Sequence, residues 1–202
     1  MGVVGLLAVP ACDGPADPRA DEVVSALVAA DGPWLRARPE LMAGKYARMA
    51  ADPYAFFRGT LPLARHDAAT GASPLAATRW PAPLVRPLTV GDPHPENFGS
   101  LVASDESFLL EPNDFDSADR YPWQWDLRRL TTGMALLARL ANAGAPSKQA
   151  VVAPQAGALV AATAAAYLSG IRAYAAGAPL EAADLGGHNP ILADLFARAR
   201  KD

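Results

Sequence analysis

The chain has 202 residues, 51% of them hydrophobic, and a formal net charge of −3, which suits one buried core in a single globular unit rather than a disordered chain. Its scattered basic residues leave no electrostatic footprint for nucleic acid. One cysteine excludes an internal disulfide framework and a cysteine-based zinc site, and three widely spaced histidines (His66, His94, His188) argue against a histidine-rich dinuclear phosphoesterase centre.

The amino terminus, Gly2 to Cys12, is a short apolar run ending in small residues and the single cysteine. It resembles the end of a bacterial lipoprotein signal, in which Cys12 becomes the lipidated first residue, although no basic segment precedes it and Pro10 sits close to the cleavage point. A plain apolar tail is the other reading. The compartment therefore stays open between the cytoplasm and a membrane-anchored lipoprotein. No other stretch approaches the roughly 18 apolar residues of a membrane span. Residues 1–20 are expected to be leader and linker, and 21–202 one domain.

Asp21 is expected to cap a helix through Val23, Val24, Leu27 and Val28, closed by Gly32-Pro33. A second helix is predicted over Pro39 to Ala50, with Leu41, Met42, Tyr46 and Met49 inward. Asp52-Pro53 opens a third, short one that carries Tyr54, Phe56 and Phe57, with Phe56 and Phe57 read as core. Arg58 follows directly, where it could reach a phosphate, clamp a carboxylate or snorkel over the aromatics. Asp67 to Pro83, rich in Ala, Thr, Gly, Ser and Pro, reads as loop. Leu84 to Val90 then reads as a strand that delivers Asp92 at its end, where loops on rigid scaffolds commonly hold chemistry.

Chemistry-bearing residues are densest from here on. Gly91-Asp92-Pro93-His94-Pro95-Glu96-Asn97-Phe98-Gly99 is followed by Asn113-Asp114-Phe115-Asp116. Between them, Leu101–Ala103 and Phe108–Leu110 flank the polar run Ser104-Asp105-Glu106-Ser107, the pattern of a hairpin. A hairpin brings its outer ends together, so Asn97 and Asp114 should meet at its base. Oxygen ligands gathered there suit Mg²⁺, which usually shares them with phosphate. Asp116 is a further metal-ligand candidate, or else a turn-capping residue. His94 is a candidate ligand-binding residue, with a loop-holding role as the alternative.

Ser117 to Pro122 reads as loop, before a strong helix with Leu127, Leu130, Met134 and Leu137 on one face. Arg128, Arg129 and Arg139 fall on other faces, where solvation is the default. Asp126 sits in the first turn, where an acid is favourable. Ser147 to Gly177 is an Ala-rich helical region, broken near Pro154, with Tyr167, Leu168, Ile171 and Tyr174 as its seam. A short amphipathic helix is expected between Pro190 and Arg200. The fold class expected from these elements is α+β, mainly helical.

Asp92, Asn97 five positions on, and an Asp-Phe after a short hairpin resemble the phosphotransferase site of the protein-kinase-like superfamily, its aminoglycoside phosphotransferase branch above all. More narrowly, Phe56–Gly59, Gly91–Gly99, Asn113–Asp116 and Trp123–Leu130 resemble domain-of-unknown-function family 2252, a bacterial family placed in that superfamily. The resemblance runs from about Glu40 to Gly177. It implies the catalytic lobe of a kinase-like fold, with the site on a small β-hairpin. Asp92 would be the base for the acceptor hydroxyl, and Asn97 and Asp114 would hold Mg²⁺ on the ATP phosphates. Asp126 would accept hydrogen bonds from the catalytic loop's backbone as structural support.

A kinase also needs a glycine-rich loop and a lysine paired with a glutamate. The chain has no G-x-G-x-x-G, and its lysines, Lys45, Lys148 and Lys201, lie on no credible strand. In the family resembled, that segment lies after the catalytic motifs, so this lobe is expected to be incomplete, with the nucleotide clamp supplied by a longer chain. Phosphoryl transfer from ATP to a small-molecule hydroxyl is the leading expectation. A non-catalytic, pseudokinase-like metal- or ligand-binding domain is the alternative, and metal-assisted phosphate-ester hydrolysis a third reading.

Overall fold

A computed structural model describes residues 17–72, 86–102, 104, 108–144, 156–178 and 197–198. The expected leader, the polar hairpin turn and most of the expected carboxy-terminal helix lie outside these residues. The described parts are mainly helical with small antiparallel β pairs, an α+β arrangement.

Helix α1 (Pro18–Ala37) begins one turn earlier than expected, because Asp17 caps it by accepting from the Arg19 N–H and Pro18 occupies the first turn. It also runs through Gly32-Pro33 rather than ending there. A proline inside a helix forfeits one backbone bond. Here the preceding turn is anchored from outside: Asp31, buried, takes Lys45 Nζ at 2.7 Å and the Tyr46 hydroxyl at 3.0 Å, both from α2 (Pro39–Ala51). Met42 and Met49 of α2 face inward as expected, but Leu41 is exposed, since the inward stripe is narrower than the apolar pattern suggested.

Helix α3 (Pro53–Gly59) is capped by Asp52, whose carboxylate accepts from the N–H groups of Tyr54 and Ala55 at 2.8 Å each. Phe57 is buried and Phe56 is not: adjacent helical positions point about 100° apart, and only one fits the interior. Helix α4 (Leu61–Thr70), ended by Gly71 in the left-handed region, places its last turn in the start of the Asp67 to Pro83 stretch read as loop. Its first turn carries Pro62 and its middle is alanine-containing, both compatible with a helix. Leu27, Met49 and Leu63 from α1, α2 and α4 form a buried core.

The β segments are nested. The outer pair is β1 (Leu88–Thr89) with β4 (Asp119–Arg120), the latter in a stretch expected to be loop. The inner pair is the expected hairpin, β2 (Phe98–Val102) with β3 (Phe108–Pro112), in register Phe98 opposite Pro112. Two-stranded ribbons are marginal alone. This one leans on α5 (Trp123–Gly144) through the 3-10 turn Pro95–Asn97, with Pro95 close against Gly133.

Helix α6 (Ala156–Ala175) begins just past Pro154 and packs on α5, with the Trp123 and Tyr167 rings stacked at 5.7 Å. The rest of its expected seam, Leu168, Ile171 and Tyr174, is exposed. At 20 residues and mean hydropathy 1.3, α6 is long and apolar enough to cross a membrane, contrary to the expectation that no such stretch exists. Its alanines, counted singly as weakly apolar, add up over the helix.

Candidate functional site

The nesting of the two β pairs builds the site. The segments 90–97 and 113–118 each run from the outer pair to the inner hairpin, so both ends of one are hydrogen-bonded to both ends of the other. They must therefore lie side by side. At the hairpin base Asn113 donates its N–H to the Asn97 carbonyl at 3.1 Å. At the other end Gly91, at φ +88°, lies so close to Ser117 that a β-carbon would sit 2.6 Å from its carbonyl carbon. Only glycine fits there, for both its torsion and its missing side chain.

Three long-range contacts hold the first loop. Asp126, in the first turn of α5, accepts from the N–H groups of Val90 at 2.8 Å and Gly91 at 3.2 Å. Arg129, one turn further, donates Nε to Asp92 Oδ1 and Nη2 to the Phe57 carbonyl at 2.9 Å, with its guanidinium 4.2 Å above the Phe57 ring. Asn97 donates Nδ2 to the Asp92 carbonyl at 3.0 Å, which fixes the amide's orientation and leaves its oxygen as the accepting atom. Arg65 of α4 steadies the second loop by donating to the Ser117 carbonyl at 2.7 Å.

Arg129 was expected to be solvated, yet it is 6% exposed. Its signal in the sequence was spacing: three residues after Asp126 it shares a helix face with it. A face that supports the loop backbone with an acid can hold the loop's own acid with a base.

The expected site residues fall into two groups. Asp92, Asn97, Asp114 and Asp116 lie on the two facing loops. Asp92 is partly buried with Oδ1 committed to Arg129, whereas Asp114 and Asp116 are exposed and joined by a turn in which Asp114 Oδ1 accepts from the Asp116 N–H at 3.4 Å. Of the two residues assigned to ligand binding, Arg58, on α3, lies outside the two loops, and His94 lies within the first loop with its side chain buried. Arg58 forms an exposed ion pair with Glu96 at 2.5 Å, a contact worth at most about 1 kcal/mol. His94 is 3% exposed, edge-on to Tyr54, with Nδ1 buried and unpartnered. It packs beneath the loop and presents no surface to a ligand.

Among the described residues no three His, Cys, Asp or Glu side chains converge as a closed metal shell. The hairpin base carries instead the amide of Asn97, whose residue is 8% exposed, and the exposed carboxylate of Asp114. That donor set fits Mg²⁺, which commonly takes one or two protein oxygens and fills its remaining positions with water and phosphate.

Burial shifts two groups of the site, Asp126 and His94. It raises the Asp126 carboxyl above its usual range, while the Val90 and Gly91 N–H bonds pull the other way. Replacing Asp126 by Asn keeps the shape but puts an amide NH₂ where one of the two carboxylate oxygens accepts an N–H. A loss of about 1–3 kcal/mol is expected in denaturant unfolding, partly offset because no charge is buried any longer.

Burial also pushes the His94 imidazole below its usual 6.5, with Arg58 and Arg129 adding to the effect and Asp92 and Glu96 opposing it. The unfolded chain then binds the proton more readily than the folded one. The stability His94 contributes is complete above the unfolded value and is lost as pH falls through the lower folded value. Thermal unfolding followed from pH of about 7.5 down to about 5 should show this acid-side loss, and His94→Gln should flatten it.

No curated protein and no solved structure matches the chain. A profile of the family described as "Uncharacterized protein conserved in bacteria (DUF2252)" matches residues 36–194. That span takes in both loops, the hairpin, Asp126 and Arg129, and the chain belongs to this bacterial family.

Proposed function

We propose that the paired loops form the phosphoryl-transfer site of a Mg²⁺-dependent, kinase-like phosphotransferase acting on a small-molecule hydroxyl, with the nucleotide clamp supplied by further chain. The observation that carries this reading is the hairpin base, where Asn97 is hydrogen-bonded to Asn113 beside Asp114, with Asp92 at the head of the same loop. Asn97 and Asp114 would hold the metal, and Asp116 is near enough along the turn to share it or to orient Asp114. Bound there with ATP, Mg²⁺ would neutralise charge on the phosphates.

Asp92 keeps Oδ2 without a protein partner among the described residues, so that oxygen can accept the hydrogen of an acceptor hydroxyl. Arg129 orients the carboxylate through Oδ1. Asp126 holds the loop backbone in place, so the site is set before substrate arrives.

One observation favours a second reading, a non-catalytic ligand-binding domain. The Asp92 carboxylate is already paired with the buried Arg129, so one of its two oxygens is taken before any substrate arrives. Lys45, for its part, is committed to Asp31 and takes no part in any clamp.

Mg²⁺ with ATP at millimolar concentration should raise the melting temperature by mass action. Asp114→Ala should abolish the rise, and Asp92→Asn should keep it while removing turnover. A rise with no turnover in the unaltered chain, assayed with the clamp segment present, would favour the second reading. No rise with either nucleotide or metal would exclude the phosphotransferase reading.

A further inference from the structure

A cleft of about 360 Å³ opens between α3, α4 and the first half of α5, within the size range of small-molecule sites, roughly 300–1,000 Å³. Its wall includes Asp126 and Arg129, but none of Asp92, Asn97, Asp114 or Asp116 lines it. It is thus a separate space, and its capacity to bind a ligand does not depend on whether Asp92 takes part in phosphoryl transfer.

The chemistry of the wall is aromatic and cationic. Phe56, Phe57, Tyr121 and Trp125 supply ring surface, the last two stacked at 5.1 Å. Four arginines face two carboxylates there: Asp67, whose Oδ2 takes Arg19 at 2.5 Å while its buried Oδ1 has no hydrogen-bond partner, and Asp126, which accepts from the Val90 and Gly91 N–H groups. Arg129 is matched by Asp92. Arg65 has no such contact partner, and the Asp126 carboxylate feels its charge only from a distance. Arg65 donates to the neutral Ser117 carbonyl and lies 4.8 Å over the Tyr121 ring, and no carboxylate among the described residues is in ion-pair contact with it. A guanidinium resting on one aromatic face pairs well with a planar anion on an aromatic body.

We propose that this cleft is a binding site for a small aromatic anion, a carboxylate, sulfonate or phosphate ester, with its ring system against Trp125 and Phe56 and its charge on Arg65. An aromatic body without the charge would fill the same space and leave the guanidinium with its present partners, so it should bind more weakly.

The test uses the full chain and two probes of nearly equal shape, 8-anilinonaphthalene-1-sulfonate and its uncharged relative N-phenyl-1-naphthylamine. The sulfonate should bind saturably, one per chain, and at least about tenfold more tightly than the neutral probe, the scale of one charge-assisted contact. Arg65→Met should erase that difference. Because Arg65 also holds Ser117, Ala64→Leu provides a second variant that fills the cleft without removing a charge, and it should weaken both probes in a chain that still unfolds cooperatively. Leu168→Ser with Ile171→Ser on the exposed face of α6 should leave binding unchanged. Equal affinity for the two probes, undiminished binding in Ala64→Leu, or loss of binding in the α6 variant would each overturn the proposal, as would no saturable binding.

Discussion

Arg129→Ala should cost about 3–5 kcal/mol, the range for removing one partner of a buried ion pair. The lower end is expected, because the Asp92 side chain keeps some contact with solvent (16% exposed) while that of Arg129 has almost none (5%). Three losses combine: the Asp92 carboxylate is left without its cation, the Phe57 carbonyl loses the shortest of its hydrogen bonds and keeps only the longer ones from Thr60, and the Phe57 ring loses the guanidinium above it. For a chain of this length each kcal/mol is worth about 2–4 °C in melting temperature, so a fall on the order of 10 °C should be read by calorimetry. Arg129→Lys keeps the charge but cannot serve both acceptors with one planar fork, and an intermediate fall is expected. The double variant Arg129→Met with Asp92→Asn removes both charges. It should be less destabilised than the sum of its parts, since what costs most is the orphaned charge rather than the missing pair.

Gly91→Ala should be about as damaging for a different reason. Its φ of +88° disfavours any side chain, and a β-carbon would overlap the Ser117 carbonyl oxygen. The torsional cost alone is about 1–3 kcal/mol. The overlap is with backbone, which cannot rotate away, so the two loops must separate. Separation would pull the Val90 and Gly91 N–H groups off Asp126 and loosen the Arg65 bond to Ser117. A total above about 3 kcal/mol is expected by denaturant unfolding. Gly71 provides the control. It too has positive φ, +72°, but nothing lies within 4 Å of its missing β-carbon, so Gly71→Ala should cost only about 1 kcal/mol. If both variants cost the same, the close approach of the two loops is not what Gly91 serves.

Local signals carried much of this arrangement into the sequence. Asp52 before Pro53 reads as a cap and is one, because the capping bond is made within three residues. The hairpin is legible from two apolar runs around a polar turn, and the structure extends it at its base, from Leu101 back to Phe98 and from Leu110 on to Pro112. What sequence pattern does not carry is pairing at a distance. β4 is two residues long and exists only because β1, thirty residues away, lies opposite it. Helix α1 continues past Gly32-Pro33 because Lys45 and Tyr46 on the next helix hold Asp31. Arg129 looked like a surface cation because nothing near it in sequence needs one, and its partners, Asp92 and Phe57, are 37 and 72 residues away. The exposed seam of α6 shows the converse: a helical apolar stripe marks a face able to be buried, without saying what covers it.

A paramagnetic metal would test the hairpin-base site most directly. With Mn²⁺ in place of Mg²⁺ and ATP present, the backbone amide signals of Asn97 and residues 113–116 should broaden before any others, and those of α6 last. Asp114→Ala should abolish the broadening at equal metal concentration. Broadening that begins elsewhere, or none at the hairpin base at millimolar metal and nucleotide, would contradict the assignment of Asn97 and Asp114 to a shared divalent ion.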